Sequence, residues 1–150
     1  MGFLINVVNF FVYPVVKLYW RIFSPPATGV KVFIQYKDKV LFVQNSYGQK
    51  YWTLPGGGVK KNESLEEAAK REVKEETGIT LNKVINKGSF LYAGEGKKDT
   101  ITVFFAEVDS DAVTLDSIEI KKASWERISS LTLSQSPVAK KCFELVGYKL

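Results

Sequence analysis

Residues 57–79 read GGVKKNESLEEAAKREVKEETGI, and the whole chain is interpreted outward from this stretch. Pro55, Gly56, Gly57 and Gly58 form a cluster of helix breakers, so a turn comes first. Asn62 or Ser64 supplies a helix N-cap, Glu66 and Glu67 put acid in the first turn, and Gly78 is a C-terminal stop. The pattern predicts a helix over residues 64–77. At about 100° per residue, Leu65, Ala68 and Ala69 share an angular sector with Glu72, Glu75 and Glu76, whereas Glu66, Glu67, Lys70 and Lys74 point elsewhere. The face that opens apolar therefore closes acidic.

A helix turns its small and apolar face inward, so the pattern aims three carboxylates at the protein body. Like charges that close repel unless they are protonated or bridged by cations. Hard divalent ions with oxygen ligands resolve that conflict, magnesium being the usual choice beside phosphates. On the glutamates alone, a solvated acidic helix end paired with Lys70, Arg71 and Lys74 stands as an equal alternative.

The spacing narrows the choice. Gly57, five residues, Glu63, seven residues and then the run REVKEETGI from Arg71 to Ile79 resemble the Nudix box at every defining position. The resemblance implies an α+β fold, an α/β/α sandwich whose mixed sheet lies between the box helix and a C-terminal helix. It implies that Glu72, Glu75 and Glu76, with the Gly56 carbonyl, bind Mg²⁺ or Mn²⁺. Gly57 and Gly58 would form the tight turn, Glu63 and Gly78 would support it, and Arg71 would hold the glutamates in register. Outside the box, Glu119 stands six residues before Trp125, where many members of this family place a further metal ligand or the base that deprotonates water. Glu95 is the runner-up for that role, and a box glutamate is a further alternative. The implied reaction is hydrolysis of a nucleoside diphosphate linked to another moiety, such as a nucleotide sugar, or of a nucleoside triphosphate. A non-catalytic module that senses a nucleotide or docks a partner is the alternative, which the intact glutamates disfavour.

Composition sets outer bounds. The chain has 150 residues, no histidine and a single cysteine, Cys142, so histidine bases, histidine metal ligands and an intrachain disulfide are excluded. Cys142 reads as a small buried side chain on a C-terminal helix. The net charge of +5 suits an anionic small molecule or lipid headgroups. No basic run interleaved with aromatics points to nucleic acid, so no nucleic-acid partner is expected.

The chain divides into an apolar amphipathic segment with a linker, residues 1–26, and a hydrolase domain, residues 27–150. Residues 3–23, FLINVVNFFVYPVVKLYWRIF, carry a polar stripe of Asn6, Asn9, Tyr13, Lys17, Trp20 and Arg21 on an otherwise apolar helical wheel. Three readings of this apolar N-terminal helix stay open: a short membrane-spanning helix, a helix lying in the membrane interface, or one packed on the domain or in a homodimer. Pro14 kinks it in each case. With no basic start and no small-residue cleavage site, a secretory signal is not expected; a cytoplasmic location is, with or without peripheral membrane attachment.

Beyond a linker at residues 24–28, residues 29–36 and 40–44 are strand candidates around a hairpin at Lys37, Asp38 and Lys39. A polar loop covers residues 45–50, and residues 51–54 form a short strand. Trp52 reads as core, whereas Tyr47 and Tyr51 are candidates to stack on a substrate ring. Residues 84–92 and 100–108 are further strands, joined by the glycine-rich loop 93–99. A closing helix spans residues 134–146, with Val138, Cys142, Leu145 and Val146 on its apolar face.

Overall fold

The computed structural model describes residues 27–48, 50–94, 97–115 and 118–149. The apolar segment 3–23, with its membrane and homodimer readings, and Glu95 lie outside the described residues. The elements are β1 (Ala27–Tyr36), β2 (Lys39–Asn45), β3 (Trp52–Thr53), α1 (Leu65–Thr77), β4 (Ile85–Gly94), β5 (Lys97–Glu107), β6 (Ile120–Arg127), a 3-10 turn (Ile128–Ser130) and α2 (Pro137–Val146). They form a mixed sheet in the order β3-β2-β1-β5-β4, with β6 added to β2. Among the described residues no helix is long and apolar enough to cross a membrane.

Alternation along the central strands builds two cores. Val30, Val32 and Ile34 of β1 meet Phe104 and Ala106 of β5 and Ala68, Ala69 and Val73 of α1 on one face. Phe33, Phe42 and Val103 meet Ala139, Cys142 and Phe143 of α2 on the other. Period-two strands between two helices give the α/β/α sandwich directly. β1 and β5 run parallel, in register from Ala27↔Asp99 to Gln35↔Glu107, and thus carry the middle of the sheet between both helices.

β2 leaves β1 soon after the hairpin: the two pair at Gln35↔Val40 and Tyr36↔Lys39, and β2 then pairs with β3 at Val43↔Thr53. The glycine-rich segment fills the place beside β1 that β2 vacates. Val32 N–H donates to Pro55 O at 2.8 Å, Val30 N–H to Gly57 O at 2.9 Å, and Val59 N–H to Thr28 O at 3.0 Å. That insertion seats the turn against the centre of the sheet.

Several expectations are corrected. The loop predicted over residues 93–99 is mostly strand, because β4 and β5 pair out to Gly94↔Lys97. Residues 120–127, to which the sequence alone assigns no element, form β6, which pairs with β2 from Lys39↔Arg127 to Asn45↔Ile120; the adjacent Lys121 and Lys122 interrupt its apolar pattern. β1 begins at Ala27, inside the predicted linker, because parallel pairing with Asp99 and Thr100 draws it out. α2 begins at Pro137, later than predicted, because Ser136 is its cap, its Oγ accepting the Ala139 N–H at 3.1 Å. Its buried face is Ala139, Cys142 and Phe143, with Val138, Leu145 and Val146 only partly covered.

Candidate active site

Helix α1 is delimited by its own sequence. Ser64, and not Asn62, is the N-cap: its Oγ accepts the Glu67 N–H at 3.2 Å while Glu67 Oε2 accepts the Ser64 N–H at 2.8 Å. At the other end Gly78 takes φ 73°, and a Cβ there would stand 3.1 Å from Thr114 Cβ, so the left-handed stop favours glycine. The glycine turn faces the acidic end of this helix. Gly56 has φ 138°, and a Cβ on it would come within 2.1 Å of Val30 O. A Cβ on Gly57 would stand 2.7 Å from the Glu72 carboxyl group. Gly58 meets no such demand, since nothing lies within 4 Å of its Cβ position; its carbonyl accepts from Arg71 Nη2 at 2.9 Å instead.

Arg71 is the hub of the acidic cluster. Its Nε and Nη2 donate to Glu63 at 2.6 and 2.9 Å, and its Nη1 donates to Glu72 at 2.6 Å and Glu75 at 3.1 Å. The bidentate Arg71 hydrogen bonds, helped by the Lys60 N–H, hold the Glu63 carboxyl at about 2, below the ordinary carboxylate range. Glu76 sits at the opposite extreme. It is 6% exposed and accepts the Gly56 N–H at 2.9 Å. Burial pushes its pKa up to about 7, against the opposing pull of Lys31 and the Gly56 N–H, with Glu72 and Glu119 adding to the rise.

One expectation about these carboxylates fails: Glu75 does not turn inward. Its side chain is 53% exposed, held at the rim by Arg71 and, at 3.9 Å, by Lys60. One helical step of about 100° separates it from the sheet-facing Glu76, and the sheet covers only the sector centred on Val73 and Glu76. Glu72, with a side chain 12% exposed, lies between these extremes.

Glu72, Glu76 and Glu119 line one cavity of about 410 Å³ together with Asn45, Tyr47 and the turn Gly56, Gly57 and Gly58. Glu119 reaches it from the residue preceding β6. Through Asn45, Tyr47 and Gly57 this space adjoins a hollow of about 730 Å³ that Lys31, Tyr51, Tyr92 and Asp99 also line. Tyr47 and Tyr51 are thus brought to the same cleft, 41% and 44% exposed. Lys31, Tyr92 and Asp99 were not singled out from sequence; Lys31 alone left a signal, as a charge inside the apolar strand GVKVFI. Another hollow of about 540 Å³, between Leu81, Ile85, Phe105 and Val108, contains none of the box carboxylates.

Among the described residues no three acidic or cysteine side chains converge into a closed metal cage. Glu72 and Glu75 are instead both bonded to Arg71. The donors nonetheless fit a hard divalent ion: they are all oxygen, and the most buried of them, Glu76, is held in a setting that disfavours an uncompensated charge. Gly56 O already accepts from Lys31 Nζ at 3.1 Å, and its second lone pair leaves room for one further partner.

Comparison with known proteins agrees with this architecture. The family model of the NUDIX domain matches residues 25–146. NAD-capped RNA hydrolase NudC of Salmonella paratyphi B is 31% identical over 127 residues, covering 83% of this chain and 49% of that protein. The chain spans about half the length of the curated relatives it matches. The crystal structure of a MutT protein from Methanosarcina mazei Go1 is 30% identical, with a TM-score of 0.71 over 81% of this chain and 94% of its own. The NUDIX domain of Shewanella oneidensis NrtR, solved with ADP ribose, shares the fold at 18% identity and a TM-score of 0.74, over 84% of this chain and 89% of its own. A mixed sheet between two helices is the fold shared with these solved structures. The chain belongs to the Nudix family of hydrolases.

Proposed function

We propose that residues 27–150 form a metal-dependent hydrolase that cleaves the diphosphate linkage of a nucleoside diphosphate joined to another moiety, or of a related nucleoside triphosphate. The observation that carries this reading is the shared cavity of Glu72, Glu76, Glu119 and the glycine turn, adjoining a tyrosine-lined hollow. The Gly56 carbonyl, Glu72, Glu75 and Glu76 would hold Mg²⁺ or Mn²⁺, which neutralises phosphate charge and polarises the bond to be broken. Arg71 keeps Glu72 oriented and Glu63 braces Arg71. Glu119 takes the proton of the attacking water on a carboxylate oxygen. Tyr47 and Tyr51 stack on a ring of the substrate. Water oxygen bonds to one phosphorus as the bridging P–O bond breaks, giving a nucleoside monophosphate and a phosphorylated remainder.

The NAD cap named for NudC and the ADP ribose bound by the NrtR domain support a bridged diphosphate, since each joins a nucleoside to a second moiety that way. The test is monophosphate release from a panel of NAD, ADP ribose and nucleoside triphosphates with Mg²⁺. Turnover of at least one class is expected, reduced roughly a hundredfold or more by Glu76→Gln. Nucleotide binding without turnover of any of them would favour the sensing module instead.

A further inference from the structure

Four consecutive carbonyls leading into the glycine turn are held by β1. Pro55 O and Gly57 O accept from the Val32 and Val30 N–H groups at 2.8 and 2.9 Å. The alternate pair, Leu54 O and Gly56 O, accepts from the Lys31 ammonium at 2.9 and 3.1 Å. Extended backbone points successive carbonyls to opposite sides, so edge amides reach only every second one. A long donor side chain between Val30 and Val32 reaches the others.

Gly56 is therefore pinned at both ends, its N–H on Glu76 Oε2 at 2.9 Å and its carbonyl on Lys31. It is also the residue least able to hold itself, because a glycine at φ 138° has wide backbone freedom. We propose that Lys31, which lies outside the box motif, is a positioning residue of the candidate active site: its ammonium sets the Gly56 carbonyl and, through the Gly56 N–H, the Glu76 carboxylate, and so sets the affinity for the divalent cation. This inference rests on the hydrolase reading for the role of Gly56 and Glu76 as cation donors.

The test is Mn²⁺ binding to the full chain, stripped of metal and without substrate, followed by electron paramagnetic resonance, together with hydrogen exchange of the Gly56 amide in the metal-free protein. Lys31→Met should weaken Mn²⁺ binding roughly tenfold to a hundredfold, the usual range when a partner behind a ligand is lost, and should speed Gly56 exchange. Lys31→Arg should restore both, because a guanidinium presents paired donors. Lys31 acting only as a neighbouring positive charge predicts the opposite sign, so unchanged or tighter Mn²⁺ binding in Lys31→Met overturns the proposal. A rise in KM with Mn²⁺ affinity intact also overturns it, assigning Lys31 to substrate contact. Wild-type protein that binds no Mn²⁺ sinks the metal-dependent reading and with it the effect on cation affinity; Gly56 exchange then still reports whether Lys31 sets that peptide.

Discussion

Glu63 and Glu76 belong to the same motif and respond to pH in opposite directions. Glu63 titrates near 2 when folded and at 4.5 as an unperturbed side chain, so its pairing with Arg71 stabilises the fold above pH 4.5 and is lost as the pH falls towards 2. Glu76 titrates near 7 when folded, so the folded chain binds the extra proton between pH 4.5 and 7. Its contribution is greatest below pH 4.5, declines on the order of 3 kcal/mol as the pH rises to about 7, and is flat beyond. Urea unfolding midpoints recorded in chelator across pH 2–8 check both windows. Glu76→Gln should flatten the upper slope and Glu63→Gln the lower one; an upper slope that survives Glu76→Gln would mean another group carries it.

At the scale of the element, α1 is the part of the chain most nearly specified by local interactions. Its capping box satisfies two backbone N–H groups that a free helix end leaves open. Ser64→Ala should cost about 1 kcal/mol, read as a lower urea midpoint with an unchanged slope. Unchanged stability would show that packing of Ala68, Ala69 and Val73 on the sheet holds the helix end without its cap. The strap from Pro55 to Val59 works differently, because it borrows an edge of β1 that exists only after β2 has diverged.

At the scale of the molecule, the two cores are separated by the sheet, and only one of them backs the box helix. Phe143 sits in the α2 core, edge-on to Phe33 with ring centroids 4.8 Å apart and stacked near Phe42 at 5.8 Å. Phe143→Ala should cost about 3–5 kcal/mol through the cavity it leaves. Burial beside it pushes the Cys142 thiol up to about 12, so the native thiol is shielded and protonated at neutral pH. Labelling of Cys142 by a thiol reagent should therefore be slow in the wild type, follow unfolding, and accelerate in Phe143→Ala. Rapid labelling of the native wild type would show that α2 opens without the rest of the domain.

The sequence by itself determined α1, its glycine-rich approach and its stop at Gly78, whereas the sandwich in which the helix sits was implied by the resemblance of residues 57–79 to the Nudix box. Helical period, capping side chains and breakers act within a few residues of one another, so their order along the chain is their order in space. Most strands were legible as short apolar runs rich in β-branched and aromatic residues and bounded by turn signals, but β6 was not, because Lys121 and Lys122 interrupt such a run and only pairing with β2 makes it a strand. Tertiary structure alone decided which carboxylates turn inward. A helical wheel groups Glu72, Glu75 and Glu76, whereas the width of the sheet buries Glu76, half-releases Glu75 and leaves Glu72 to Arg71. It also decided that Lys31, Tyr92 and Glu119, far apart in the chain, border one cleft, because parallel pairing of β1 with β5 and antiparallel pairing of β6 with β2 are long-range contacts that no local pattern encodes.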